Sequence, residues 1–287
     1  HEYRYALSVH ADEIVSEGLW RRKLGASRTA MLFERDGAEV ELGPTLRKLV
    51  TAARFNPSLP YLSFLCINFD APVVKEAASW FLDGVFLNYN SSYLERMLEQ
   101  LLDEAESPEV TRFLRAVDVR IDGFRVEKSP EWRGQRVFVR HEVDGKGYEL
   151  RLSEESAGTQ KLIGLAAYLM TALERGSTVV VDELDAKLHP KLLRYVILLF
   201  KDPAVNKNGA QLIFSSQDVS TMRNDVFRRD EIWFAARGEG EASQLWSLAD
   251  IHEANGNLVS KNAAFDKQYL SGRYGADPYL TRIEDWD

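Results

Sequence analysis

Two short stretches of this chain carry residue types whose spacing could do chemistry. The first is Ser156-Ala157-Gly158-Thr159-Gln160-Lys161 and the second is Asp182-Glu183. A serine and a small, glycine-containing turn at the start of a helix leave backbone N–H groups without intrahelical acceptors, which suits a phosphate. Two adjacent carboxylates can hold a divalent cation and polarise a water molecule. The residues between them predict the elements that position both. Leu162, Leu165, Ala166, Leu169, Met170 and Leu173 repeat at the three-and-four spacing of one buried helix face, and Gly176-Ser177 stops that helix. Thr178, Val179, Val180 and Val181 form a β-branched run that predicts a strand covered on both faces. The acids that follow cannot both enter a core, since burying an unpaired charge costs several kcal/mol. They must pair, bind metal or face a cleft. The plainer alternative is a capped helix and a core strand that happens to end in acids.

In this order and spacing, the two stretches resemble the second half of an ABC-type ATPase site: a signature motif at 156–160, then a Walker B strand at 178–183. The resemblance implies ATP and Mg²⁺ as ligands. It gives Ser156, Gly158, Thr159, Gln160 and Lys161 to nucleotide binding, Asp182 to the metal, and Glu183 to the attacking water. Leu184-Asp185-Ala186-Lys187-Leu188-His189-Pro190 then matches the D-loop, with Asp185 as a further nucleotide-side residue. His189 fits either that loop or the cap of the helix that Pro190 opens. Residues 211–216 read as the next buried strand, followed by Gln217 where such ATPases usually carry a histidine that reaches the γ-phosphate. Glutamine can donate a hydrogen bond but carries no proton in exchange and no charge.

Farther on, the stretches 228–234 and 269–276 resemble bacterial AAA/ABC-type ATPases of the abortive-infection class (AbiEii/RloA-like), which are related to RecF and the SMC heads. That class implies defence against phage, with an effector such as a nuclease or toxin, Toprim-type among them. Gly272 and Gly275 in the tail predict a tight turn with positive φ. Arg228 and Arg229 read equally well as a surface ion-pair cluster.

The composition is that of an ordinary globular chain: 287 residues, 45% hydrophobic, 28% charged. The longest apolar runs are too short to cross a bilayer. Residues 1–9 alternate like a strand and show no secretory signal, and the single cysteine, Cys66, points to a reducing compartment. The expectation is a cytoplasmic protein without structural disulfides or membrane contact. A net charge of -8 disfavours unspecific nucleic-acid binding by the whole surface and leaves a local basic stripe open.

Taken in order, Tyr3, Tyr5, Leu7 and Val9, then 14–20 and 30–34, predict an antiparallel meander with turns at Ala11-Asp12 and Gly25-Ala26. From 44 to 118 the pattern is helical. Leu46, Leu49, Val50 and Ala53 share a face, 71–87 reads as one helix, and Ser92 with Glu95 forms a capping box ahead of Leu94, Met97, Leu98, Leu101 and Leu102. Residues 91–110 hold six acids against the single base Arg96, a solvated face or a docking face. Strands are predicted at 119–121, 124–126, 137–139 and 148–150. Arg120, Arg125, Lys128, Arg133, Arg136 and Arg140 interleave there with Phe124, Trp132 and Phe138. Six acids dilute that patch, so a plain amphipathic sheet is preferred to a nucleic-acid track.

A Walker A loop appears nowhere in the chain. Gly145-Lys146-Gly147 is the nearest approach and lacks the leading glycine and the hydroxyl residue. The expectation is therefore the larger C-terminal part of an ATPase whose phosphate loop precedes His1. The fold expected is α/β, an ABC-ATPase-like head with a mixed β-sheet, an antiparallel β lobe and an inserted helical lobe. Its divisions are 1–43 (antiparallel β), 44–118 (helical lobe) and 119–287 (C-terminal ATPase core). The function expected is ATP binding and hydrolysis in a homodimer that sandwiches ATP, as the sensor subunit of an anti-phage system. Two rivals stand beside it: a nucleotide-binding scaffold with little turnover, favoured by Gln217, and a RecF/SMC-like DNA-repair ATPase, for which the heptads of a coiled-coil arm are missing. DNA binding is left open.

Overall fold

The structure is a computed structural model that describes residues 1–51, 54–88, 108–117, 121–128, 135–237, 242–253 and 256–276. The chain divides into two compact units, His1–Gly84 and Val85–Asp287.

In the first unit, β1 (Glu2–His10), β2 (Glu13–Arg22), β3 (Thr29–Asp36) and β4 (Glu39–Leu42) form a consecutive antiparallel sheet. Ala11, at φ 52°, makes the turn between β1 and β2 as the meander pattern predicts. Helices α1 (Tyr61–Asn68) and α2 (Pro72–Leu82) share a core with the sheet, built on Leu19, Phe33, Leu46, Tyr61, Leu65 and Val74. Helix α1 starts behind Pro60, which has no side-chain acceptor to cap it. Glu17 of β2 supplies the cap from outside. Its carboxylate accepts the N–H groups of Tyr61 at 2.6 Å and Leu62 at 2.8 Å, and the Tyr5 hydroxyl at 3.0 Å. Directly opposite on β3, Arg35 pairs with Glu17 at 3.3 Å, both side chains being fully buried. The guanidinium also donates to the carbonyls of Gly37, Leu59 and Pro57 and lies over the Phe55 ring. A buried ion pair of this kind is tolerable because nearly every polar atom in it has a partner.

The helical reading of 44–118 needs correction at two points. Leu46–Lys48 is a single 3₁₀ turn, not a helix carrying Leu49 and Val50. The helix read over 71–87 ends at Leu82. Asp83 and Gly84 break it, and β5 (Val85–Asn88) follows. The capping box at Ser92, the acidic run after it, Arg120, Trp132 and Arg133 lie outside the described residues.

In the second unit, β5 joins β9 (Thr178–Asp182) and β10 (Gln211–Phe214) in a parallel sheet of order β10-β9-β5. Val179 and Val181 of β9 are fully buried against α4 (Ala157–Arg175) and α5 (Pro190–Lys201), in a core that also takes Ile163, Leu165, Leu169, Leu193 and Val196. Gly176 ends α4 at φ 72°, and a Cβ there would lie 2.3 Å from the Asn208 carbonyl oxygen. Only glycine fits. Helix α3 (Pro108–Ala116) packs on α4, and β6 (Gly123–Lys128), β7 (Gln135–Val143) and β8 (Lys146–Arg151) form an antiparallel sheet. On it Glu149 accepts from both Arg125 and Arg140, and Glu127 lies 3.7 Å from Arg125, so two carboxylates balance these two arginines within the sheet. A hairpin of β11 (Trp233–Arg237) and β12 (Ser243–Ser247), with α6 (Phe265–Leu270), encloses a small core around Phe234, Leu248 and Phe265. Gly272 and Gly275 both take positive φ, at 75° and 71°. Arg228 pairs with Asp230 and Glu231.

The buried pair in the first unit makes a direct prediction. Arg35→Met leaves the Glu17 carboxylate buried without its counter-charge, which should cost about 3–5 kcal/mol. Urea unfolding of the whole chain followed by fluorescence checks it. A change below about 1 kcal/mol would show that the N–H donors of Tyr61 and Leu62 suffice alone.

Candidate functional site

The two sequence stretches meet at one end of the parallel sheet. Ser156 caps α4: its Oγ accepts the Thr159 N–H at 3.1 Å and lies 2.8 Å from the Thr159 hydroxyl. The first intrahelical bond runs from the Gln160 N–H to the Ser156 carbonyl at 2.9 Å. The N–H groups of Ala157 and Gly158 therefore have no acceptor within the helix, at the positive end of its dipole. The Gln160 side chain turns back to donate to the Glu155 carbonyl at 2.7 Å. A Cβ on Gly158 would lie 3.0 Å from the Lys187 carbonyl oxygen, so a glycine lets the helix start approach the loop after β9.

Lys161 is placed differently from its neighbours. Its side chain is buried, 4% exposed, and its ammonium donates to the carbonyls of Glu183 at 2.8 Å and Ala186 at 2.6 Å. It thus binds the loop after β9 from beneath, while the helix start before it faces outward. Burial lowers its pKa from the ordinary 10.5 to about 8, against the opposing pull of the Asp185 and Glu183 charges.

On the other side, the loop is held by the end of β10. Asp182 and Glu183 are exposed where β9 runs out. The Ser215 hydroxyl donates to Asp182 Oδ1 at 2.5 Å and accepts the Glu183 N–H at 2.7 Å. The Ser215 carbonyl accepts the Leu184 N–H at 3.0 Å. Glu183 sits at φ 52° and Lys187 at φ 62°, conformations that a non-glycine residue holds only where its surroundings over-determine them. Asp185 turns toward the third element: its Oδ2 accepts the Gln217 N–H at 3.3 Å, while its Oδ1 is buried with no hydrogen-bond partner. His189 caps α5, its Nδ1 accepting the Lys191 N–H at 3.1 Å. Of the two roles open to it in the sequence, the structure displays the cap.

Ser215 was missed in the sequence reading. The signal was a hydroxyl residue at the end of an apolar strand, one position beyond the row that pairs Phe214 with Val181. Among the described residues no three His, Cys, Asp or Glu side chains cluster as a protein-only metal cage. An exposed carboxylate with one oxygen already engaged instead suits a Mg²⁺ that keeps waters and phosphate oxygens as ligands. The donor set fits that ion, and the outward N–H groups at the start of α4 fit a phosphate.

A parallel sheet with an acid pair where one strand ends, and a capped helix N-terminus beside it, is the arrangement expected of an AAA-type ATPase domain. Residues 17–223 match the profile of the family described as AAA domain, AbiEii-toxin type, of type IV TA systems, and the chain belongs to that family. Comparison with curated proteins returns no match. Among solved structures, an SMC head domain from Thermotoga maritima is 15% identical over 83% of this chain and 74% of its own, at a TM-score of 0.38. An SMC head bound to the C-winged helix domain of ScpA is 14% identical over 81% and 73%, at 0.42. A structure from work on ATP-driven dimerization and DNA-stimulated activation of SMC ATPases is 16% identical over 53% and 87%, at 0.34. Among the described residues, no helix is long and apolar enough to cross a membrane.

The depressed Lys161 pKa sets a pH dependence with a definite sign. The folded protein releases this proton near pH 8, whereas the unfolded chain keeps it to about 10.5. Between those values the unfolded state binds more protons, so this group's contribution to stability rises with pH. The neutral amine still carries two N–H donors, enough for both carbonyls. The stability difference between the parent protein and Lys161→Met should therefore widen in the parent's favour from pH 8 to 10.5. Denaturant titrations across that range measure it, and a constant difference would mean that the amine does not titrate there.

Proposed function

We propose that this protein is a Mg²⁺-dependent ATPase that works as a two-subunit switch, the ATP-sensing part of a bacterial anti-phage system with a separate effector such as a nuclease or toxin. The observation that carries the reading is the holding of Glu183 from two sides, by Lys161 of α4 and by Ser215 just past β10, with Asp182 bonded to the same serine, in a chain of the AAA family. In this reading Asp182 takes Mg²⁺ through its unengaged oxygen, and the ion neutralises charge on the phosphates when bound. Glu183 accepts a proton from the attacking water. The N–H groups at the start of α4, with Ser156, Gly158, Thr159 and Gln160, receive the γ-phosphate of ATP held by a second subunit. Lys161 contributes by fixing the loop. Asp185 and Gln217 sit on the nucleotide side as a linked pair. The divisions at 43 and 118 belong to this proposal, with the cytoplasm as its setting. DNA is a further candidate ligand, although Glu149 and Glu127 balance two arginines of the β6–β8 sheet.

Gln217 supports a second reading, a nucleotide-binding scaffold that holds its effector and scarcely turns over. A glutamine can orient a water or a phosphate but cannot relay a proton.

Glu183→Gln separates the two. In the protein as its gene encodes it, the variant should keep ATP binding and lose hydrolysis by about 10²–10⁴-fold, the usual contribution of a positioned base. Asp182→Ala should weaken Mg-ATP binding itself. Steady-state phosphate release and calorimetry give both numbers, and unchanged turnover in the Glu183 variant would make the acids structural.

The two-subunit part has its own test. Ser156→Arg puts a bulky cation where the phosphate and the partner backbone must approach. It should leave ATP binding by one subunit intact and abolish ATP-dependent dimerisation. Light scattering with and without ATP reads this out, and dimerisation equal to the parent's would refute the assignment of the α4 start.

A further inference from the structure

We infer that Ser215 is a positioning residue of this site: it selects which oxygen of Asp182 faces the cation and fixes the direction in which Glu183 leaves the strand. The inference rests on the ATPase reading above.

A serine hydroxyl has one hydrogen and can accept through its lone pairs. Glu183 offers an N–H to Ser215 Oγ at 2.7 Å, so at that contact the hydroxyl must accept. Its single hydrogen is then available for Asp182 Oδ1, 2.5 Å away. The direction of both bonds follows from the donor inventory alone. Oδ1 is occupied by a short, charge-assisted bond, which leaves Oδ2 as the free ligand atom.

The hydroxyl has little freedom to move. Its backbone is held on both sides, by its own N–H to the Val181 carbonyl at 3.1 Å and by its carbonyl to the Leu184 N–H at 3.0 Å. Ser215 is therefore bonded to four consecutive residues of the other strand and its loop, 181–184. Glu183 is the one among them in the left-handed region, at φ 52°. The N–H that Ser215 accepts belongs to this strained residue. Without that bond, the peptide before Glu183 loses the contact that opposes its relaxation to the ordinary φ < 0 region.

Ser215 is exposed, so a water can replace its hydroxyl as a partner for either group. What a mobile water cannot do is tie Asp182 to Glu183 at a set distance. The role predicted is thus on geometry at the reacting centre more than on stability. Groups that orient a ligating carboxylate from outside typically contribute about 10–100-fold to metal affinity or activity.

The test uses Ser215→Ala and Ser215→Thr in the protein as its gene encodes it. Ser215→Ala should lower kcat by about 10–100-fold with a much smaller change in KM for Mg-ATP. It should also lose protection of the Glu183 amide in hydrogen exchange, while Ser215→Thr, which keeps the Oγ, restores both. Turnover in Ser215→Ala equal to the parent's would overturn the proposal. So would kcat and KM failing together with no rescue by threonine, which is the pattern of general structural damage. If the parent itself hydrolyses no ATP, the ATPase reading is what fails. Binding of Mn²⁺-ATP, followed by electron paramagnetic resonance, then decides Ser215. A spectrum of the bound ion that is altered in the alanine variant and restored by threonine upholds it, and a spectrum equal to the parent's in the alanine variant refutes it.

Discussion

A strand that ends in two acids leaves its final backbone groups and its charges without the ladder that served the residues before them. The molecule resolves this by gripping the loop after β9 from two sides. Lys161 reaches up from α4 to the carbonyls of Glu183 and Ala186, and Ser215 reaches across from β10 to Asp182 and the Glu183 N–H. Both grips depend on elements distant in sequence being correctly docked. The acid pair is consequently a product of the whole second unit, and damage to the packing of α4 or β10 is transmitted to it directly.

The first unit solves a related problem by similar means. There a helix that cannot be capped by its own preceding residue, Pro60, borrows a carboxylate from a strand. The counter-charge on Arg35 then stays buried because carbonyl groups from the 57–59 stretch and Gly37 take its remaining donors. In both units a buried charge collects backbone groups that secondary structure leaves over. The cost of burying it falls because it replaces several weaker arrangements with one satisfied network.

Much of the frame of the candidate site in the second unit was legible because its signals are local. A serine before a small-residue turn, a glycine stop and a β-branched run ending in acids each declare themselves within a few residues, and the structure has α4 and β9 where they point. The meander of the first unit was legible through its period of two. Strand β5 was hidden because its partner, β9, lies about ninety residues on, and the apolar spacing of α2 runs straight over Asp83-Gly84 into Val85. Ser215 and the Glu17–Arg35 pair were hidden for the same reason: a hydroxyl or a charge has no meaning in sequence until its distant partner is known. Lys161 was legible as part of a motif, but its inward direction was not. That direction depends on the carbonyls that the loop turns toward it.

The buried amine also makes Lys161 a chemical reporter. Burial favours the neutral amine while the loop is closed over it, and once the loop lifts the amine regains water and behaves as an ordinary lysine. Enclosure alone shields it from acylating reagents. Its rate of modification therefore counts the moments at which the loop lifts away from α4, giving the site a clock for its own opening without any label being introduced.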